Sequence, residues 1–216
     1  MVRFCAQLVA GDLGGAEAFV RELSAAGQDF DEIAEALLAR ASRRLGQQWD
    51  DDEISFVDVS LGVSTLFHLA RLLDAESALS SSGDRGLAIF ATLPDQAHTL
   101  GIVLAAEAFR QHDWSVDLRL SEDAPDIIDA VQRKQPVILG VTLSHADDAA
   151  GVAAVVAAAK ALPQPPQVIL GGAIAARRPQ HIDAIRADWI VQTLAEANAA
   201  ADRIDAARAP RPPSSP

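Results

Sequence analysis

Thiols and clustered positive charge are nearly missing from this chain, and each shortage closes off a class of function. Cys5 is the only cysteine and there is no tyrosine. An intramolecular disulfide and a thiolate metal cluster are therefore excluded, and Cys5 reads as a small buried hydrophobe. Lysine and arginine number 18 against 30 acidic residues, a formal net charge of -12, and they form no basic cluster. Affinity for phosphate backbones comes from such clusters, so direct binding of nucleic acid is not expected. If the protein regulates genes, it does so through another protein. Two stretches lean basic, RRPQH (177–181) and ARAPRPPSSP (207–216). The second is Pro-rich and reads as a disordered tail. Apolar runs such as GVAAVVAAAKAL are too short and too alanine-rich to span a bilayer, and no charged segment followed by an apolar run opens the chain. A cytoplasmic protein is expected. The chain has no nucleophile–base pair, Cys-His metal motif or GxxxxGK phosphate loop, which argues against an ordinary enzyme.

What is present is a 216-residue chain, 50% hydrophobic, with two different periodicities. Residues 1–78 read as helices only. In DFDEIAEALLARASRRLGQQW, Phe30, Ile33, Leu37, Ala41 and Leu45 recur at three- and four-residue steps and define one buried helix face. Asp29 and Glu32 suit a capping box. A second periodic run from Ser55 places Phe56, Val59, Val63, Leu66, Phe67, Ala70 and Leu73 on one side. GAEAFVRELSAA completes a small bundle with the first residues of the chain. The Ser- and Gly-rich LSSSGDRG (79–86) reads as a linker. Beyond it, strand-like GLAIFATL, WSVDLRL, PVILGVTL, PQVILGG and ADWIVQT alternate with helical runs near 99–111, 124–134, 147–162, 175–186 and 194–207. The alternation predicts an α/β domain over 87–207: a five-stranded parallel sheet with helices on both faces, wound in the flavodoxin-like (Rossmann-like) order. Residues 208–216 remain as the tail.

In such a sheet, ligands bind where loops converge at the carboxyl ends of the strands. Three loops meet there in the predicted arrangement: PDQAH after the first strand, LSHADD after the third and GGAIA after the fourth. Together they offer a potential metal ligand, His98, which by its own stretch reads more simply as a cap or packing residue of the following helix, the hydroxyls of Thr142 and Ser144, and the adjacent Gly171 and Gly172. A glycine pair lets a bulky ligand approach backbone where a Cβ would collide, although the same pair also suits a plain turn, and Thr142 can bond its own backbone.

The set HTLG (98–101), GVTLS (140–144), the double glycine after VIL and AD (187–188) before the last strand resembles the cobalamin-binding domain of corrinoid proteins. In the helical half, LGQQWDDDEIS resembles the bundle that caps the corrinoid ring in that family. The resemblance runs over residues 1 to about 205. It implies that His98 ligates cobalt in place of cobalamin's own base, with Gly101 in the same motif, and that the nucleotide tail enters a groove lined by Thr142, Ser144, Gly171 and Gly172. It also implies that Trp49 lies over the upper face of the ring.

Two departures narrow the resemblance. The family's usual aspartate two residues before the histidine is Gln96 here, with Asp95 one residue out of register. An amide orients an imidazole but lends it no negative charge. Light-sensing and methyl-transferring relatives carry Glu-His about ten residues after the tryptophan; Val59 and Ser60 stand there and do no acid–base work. With these changes, ISFVDVSLG and AHTLG resemble the PpaA/AerR group of regulators from photosynthetic bacteria, which bind cobalamin, include reported haem sensors, and counteract a repressor of photosystem genes.

The expected function is thus a cobalamin sensor, with adenosyl- or hydroxocobalamin, that responds to light or redox state and acts on a protein partner such as a transcription regulator. A haem or bilin sensor and a corrinoid methyl carrier are the alternatives, and homo-oligomerisation is left open. Among the other singled-out residues, Trp114 and Trp189 read as packing, and the acidic run at 50–53 as a solvated turn. His68 reads as a satisfied bundle histidine, with a place facing the ring as the alternative, and His112 and His181 read as groups near helix ends. His145 is either a second contact or a solvent-facing loop residue.

Overall fold

The computed structural model describes residues 1–77, 84–94, 96, 99–172 and 182–208. Its contacts divide it into two units, Met1–Ser82 with Ala97–Asp113, and Gly83–Gln96 with Trp114–Pro216.

The first unit is helical. It begins with α1 (Val2–Val9) and α2 (Leu13–Ala25). Asp12 starts α2 by accepting the Gly15 N–H at 3.0 Å, which satisfies one of the donors a helix amino end leaves open. Next, α3 (Phe30–Ile33) runs through a π-helical stretch (Ala34–Ala39) into α4 (Arg40–Asp50). The Asp29–Glu32 capping box is present with both of its hydrogen bonds. Phe30, Ile33, Leu37, Ala41 and Leu45 are all buried, as their spacing requires.

The long helix α5 (Phe56–Ser77) opens on a reciprocal pair: Ser55 N and Oγ donate to Asp58 Oδ2, and Asp58 N donates to Ser55 Oγ. Leu66, Leu69, Ala70 and Leu73 are buried, whereas Phe56 is 69% exposed. The expected apolar face of this helix therefore does not extend to its first turn. Phe56–Leu73 is long and apolar enough to cross a membrane by length and composition; inside the unit it packs on α1, α2 and α4. A Cβ at Gly62 would lie 2.7 Å from Leu45 Cδ1, so glycine permits the close approach of α5 to α4. Helix α6 (Leu100–Gln111), which follows the first strand in sequence, packs on α5 in this unit. It is apolar nearly all round, with Leu104, Ala106, Ala108 and Phe109 almost fully buried, as a helix without a polar face must be.

The second unit is the parallel sheet. Its strands are β1 (Leu87–Ala91), β2 (Ser115–Arg119), β3 (Ile138–Thr142), β4 (Gln167–Gly171) and β5 (Trp189–Ile190). They are ordered β2-β1-β3-β4-β5, the flavodoxin-like winding. Helices α7 (Ala124–Lys134), α8 (Ala149–Lys160) and α9 (Leu194–Arg208) complete it. Strand side chains alternate between faces. Ile89, Ala91, Leu139, Val141, Val168 and Leu170 form one core with α7, α8 and the 3-10 turn Ile182–Ile185. On the opposite face Phe90 lies over Gly140 of the neighbouring strand, where a Cβ would stand 2.5 Å from the ring. Most of the helix expected at 175–186, most of the linker and the tail beyond Arg208 lie outside the described residues.

Candidate functional site at the carboxyl edge of the sheet

The loop leaving β1 is pinned before it reaches the site. Thr92, 1% exposed, donates its N–H to Arg119 O, accepts from Glu122 N at its carbonyl, and takes the Ser121 N–H on Oγ1 at 2.8 Å. These bonds tie the end of β1 to the end of β2. Four residues on, Gln96 is 3% exposed. Its Nε2 donates to Thr142 O at 3.1 Å and to Asp148 Oδ2 at 3.4 Å. Both amide hydrogens are thus committed, and flipping the carboxamide would set its oxygen against two acceptors. The remaining atom, Gln96 Oε1, is buried with no hydrogen-bond partner among the described residues.

Thr142 ends β3 and Gly171 ends β4, and the ladder continues past them with Leu143 N donating to Gly171 O at 2.9 Å. Thr142 and Ser144 are each 6% exposed. Gly172 adopts φ +107, and a Cβ there would lie 2.5 Å from Leu143 O and 2.6 Å from Thr142 Oγ1. Both conformation and space require glycine. At Gly171 an added Cβ would make only an ordinary contact with Val191, 3.7 Å away, so the first glycine of the pair is not demanded by the protein itself. The structure thus brings Gln96, Thr142, Ser144, Gly171 and Gly172 to one edge of the sheet unit. Two glycines stand there with two buried hydroxyls and a carbonyl that has no partner among the described residues, groups able to meet the amides and hydroxyls of a ligand.

Asp148 was missed by sequence reasoning. Its signal was its place in the same third loop, LSHADD, but its contact with Gln96 spans 52 residues. His98 and Asp95 lie outside the described residues. Trp49 ends α4 in the helical unit and is 45% exposed. Gly101 sits in the first turn of α6, exposed, and an added Cβ would meet nothing within 4 Å.

The other named residues have local roles. His68 pairs with Glu17 at 2.7 Å and His112 with Asp31 at 2.9 Å, each inside the helical unit. His145 is exposed where the third loop enters the 3-10 turn Ala146–Asp148, and His181 lies outside the described residues. Asp188, singled out before the last strand, accepts the Val168 N–H at 2.7 Å and pairs with Lys160, fastening β5 to β4 near their amino ends. Trp114 is 1% exposed and Cys5 is 4% exposed, both core residues. Asp50 ends α4 and Asp51 to Glu53 form an exposed turn after it, and no group of metal-ligating side chains occurs among the described residues.

The fold and this edge define a doubly wound α/β ligand-binding module with a helical companion. Residues 86–202 match the B12 binding domain family, and the chain belongs to that family. It is 27% identical over 179 residues to an uncharacterized 20.5 kDa protein of Rhodobacter capsulatus encoded in the bchF-crtJ intergenic region, a match covering 80% of this chain and 92% of that protein. The Methanosarcina barkeri monomethylamine corrinoid protein has a similar structure, with a TM-score of 0.77 at 17% identity over 93% of this chain and 96% of that one. A cobalamin-binding protein of Desulfitobacterium hafniense matches with a TM-score of 0.50 at 18% identity, covering 94% and 97% of the two chains. At these identities the structural likeness establishes the shared fold.

Proposed function

We propose that the protein is a cobalamin-binding sensor that signals to another protein, with light or redox state as the input. The observation that carries the ligand assignment is the gathering of the buried Thr142 and Ser144 hydroxyls with Gly171, whose missing side chain the neighbouring protein atoms do not require, at the carboxyl edge of the sheet. His98 is assigned as the lower cobalt ligand, with Asp95 and Gln96 beside it in the first loop. Gly101, whose missing side chain serves no neighbour in the protein, is assigned to ligand contact. Trp49 is assigned to the upper face of the ring. Cobalamin held by these residues would supply a cobalt–ligand bond sensitive to light or reduction. The chain's own residues hold the ring and report the change, and a signal requires that the cofactor's forms bind two conformations unequally. Val59 and Ser60 supply no acid–base group, which disfavours a methyl carrier that relies on one there. A transcription regulator is the proposed partner, a reading supported by the photosynthesis gene cluster in which the Rhodobacter relative's gene lies.

The test is reconstitution with adenosyl- and hydroxocobalamin, with spectra recorded before and after illumination and after reduction. A light- or redox-dependent spectrum, altered in His98→Ala, is expected. Unchanged cobalt ligation in His98→Ala would remove that residue from the ligand role. The likeness to the monomethylamine corrinoid protein favours a methyl carrier as the second reading; methyl transfer to a corrinoid methyltransferase, with no response to light or reductant, would establish it. Uptake of haem or a bilin in preference to cobalamin, seen in the spectrum of protein from hosts fed each pigment, would displace both.

A further inference from the structure

We infer that the sheet unit carries a second binding site, at the amino ends of its strands, for a small organic carboxylate with an apolar body, gripped by Arg203 beside the indole of Trp189. The site lies at the opposite end of the strands from the carboxyl edge and is independent of the cobalamin reading.

A groove of about 480 Å³ opens where Val137 leads into β3, Gln167 begins β4 and Trp189 begins β5, with Arg203, Ile204 and Arg208 of α9 also lining it. Small-molecule sites run from about 300 to 1,000 Å³ and combine apolar walls with a few polar groups. Thr142 and Gly171 stand at the other ends of β3 and β4, about 15 Å away along the strands. In the groove, Val137, Ile204 and the indole supply apolar surface. Two arginines and the carboxamides of glutamines supply the polar groups, and no carboxylate lines it. In a chain with 30 acidic residues against 18 basic ones, that exclusion sets the sign of the ligand's charge.

The carboxylates nearby are already engaged: Asp188 pairs with Lys160, and Asp202 and Asp205 pair with Arg85. Arg208 is held as well, by Arg85 O at 2.9 Å and by Asp205 at 3.6 Å. Arg203 differs from them. It is exposed, pairs with no carboxylate among the described residues, and lies with Cζ 5.9 Å from the centre of the Trp189 ring. A guanidinium can rest on an aromatic face and still present its fork of N–H donors to a carboxylate. Trp189 adds a second donor. Its Nε1 is buried with no acceptor among the described residues, an unfavourable state for an N–H group. Because Arg203 is exposed and tied to no carboxylate there, its side chain can shift and let a ligand oxygen reach the indole edge. One carboxylate then accepts from both donors, while the apolar body of the ligand rests against Val137 and Ile204.

The experiment uses full-length protein labelled with 15N at its tryptophans and titrated with 2-naphthoate, with the neutral 2-naphthalenemethanol as control. Trp49→Phe and Trp189→Phe assign the indole N–H signals. A saturable downfield shift of the Trp189 N–H is expected, half complete at about 1 mM or below. The alcohol is expected to bind about tenfold more weakly or worse. Arg203→Gln, a change at an exposed position of α9, is expected to weaken 2-naphthoate about 10–100-fold and to leave the response to the alcohol unchanged. No saturable shift at Trp189, equal responses to acid and alcohol, or an undiminished response in Arg203→Gln overturns the site. A shift confined to Trp49 or Trp114 puts the probe elsewhere and overturns it too. If Arg203→Gln fails to fold by circular dichroism, the wild-type comparison of acid with alcohol decides. None of these outcomes bears on cobalamin, whose binding is read from its own spectra.

Discussion

At the scale of single residues, the site depends on groups with no freedom to move. Gly172 is the clearest case: at φ +107 with backbone and hydroxyl oxygens where a Cβ would go, Gly172→Ala is strained twice over. The variant should lose about 1–3 kcal/mol of stability in urea titration and bind cobalamin more weakly than wild type. Carboxylates set the response to acid. Hydrogen bonds from His68 and Arg21 lower the Glu17 pKa, and those from Ser55 lower the Asp58 pKa. Burial pushes the Asp117 carboxyl up, but hydrogen bonds from Lys134 and Arg119 outweigh it and leave the group below its ordinary value. A carboxylate depressed in the folded state stabilises the fold above its unfolded pKa, and that contribution is lost as pH falls through the folded pKa. Stability should therefore hold from neutral pH down to about 5 and drop below about 4. At neutral pH, Asp117→Asn should cost about 1–2 kcal/mol, and the difference from wild type should shrink in the acid range, as urea midpoints at a series of pH values would show.

At the scale of elements, the sheet is assembled by close approaches that its sequence permits only at certain positions. The pairing of Phe90 with Gly140 fills one face of the β1–β3 ladder with a ring lying over a glycine. Gly140→Ala brings a methyl to 2.5 Å from that ring, which is 3% exposed and has nowhere to swing. A loss of about 1–3 kcal/mol is expected, with a lower melting temperature and no change in helix content by circular dichroism. The helices show how much of an element is local. Helix α7 begins and ends where Asp123, Pro125 and the left-handed Gln135 place it, and its predicted bounds match the observed Ala124–Lys134. The first turn of α5 shows the converse: its apolar spacing continues to Phe56, but no neighbour in the helical unit covers that turn, and Phe56 and Val57 stay exposed.

At the scale of the whole molecule, the ligand is the natural probe. A ligand that binds only the folded protein raises its stability by mass action, by about 2.7 kcal/mol at a hundredfold excess over the dissociation constant. Calorimetry with and without cobalamin should show a rise in melting temperature that grows with cofactor concentration. An invariant melting temperature would count against a folded-state cobalamin site. Trp49, 45% exposed, provides a second reading. If it covers the ring, wild-type fluorescence should quench on cobalamin binding by more than that of Trp49→Phe.

The sequence by itself determined what depends on near neighbours. The spacing of Phe30 to Leu45, the Asp29–Glu32 box and the alternation of strand and helix fixed the helical first part, the five parallel strands and their winding, because periodicity and capping act over a few residues. It also placed Gln96, Thr142, Ser144 and the glycine pair in loops that share one edge. Only the tertiary structure decided what those loops do to one another. Gln96 meets Thr142 and Asp148 across 46 and 52 residues of sequence, and Gly172 meets Thr142 across a strand register. Likewise α6 joins the helical unit although it follows β1 in sequence. Such contacts arise from strand register and from the burial of surfaces far apart in the chain, and no local pattern of residue types encodes them.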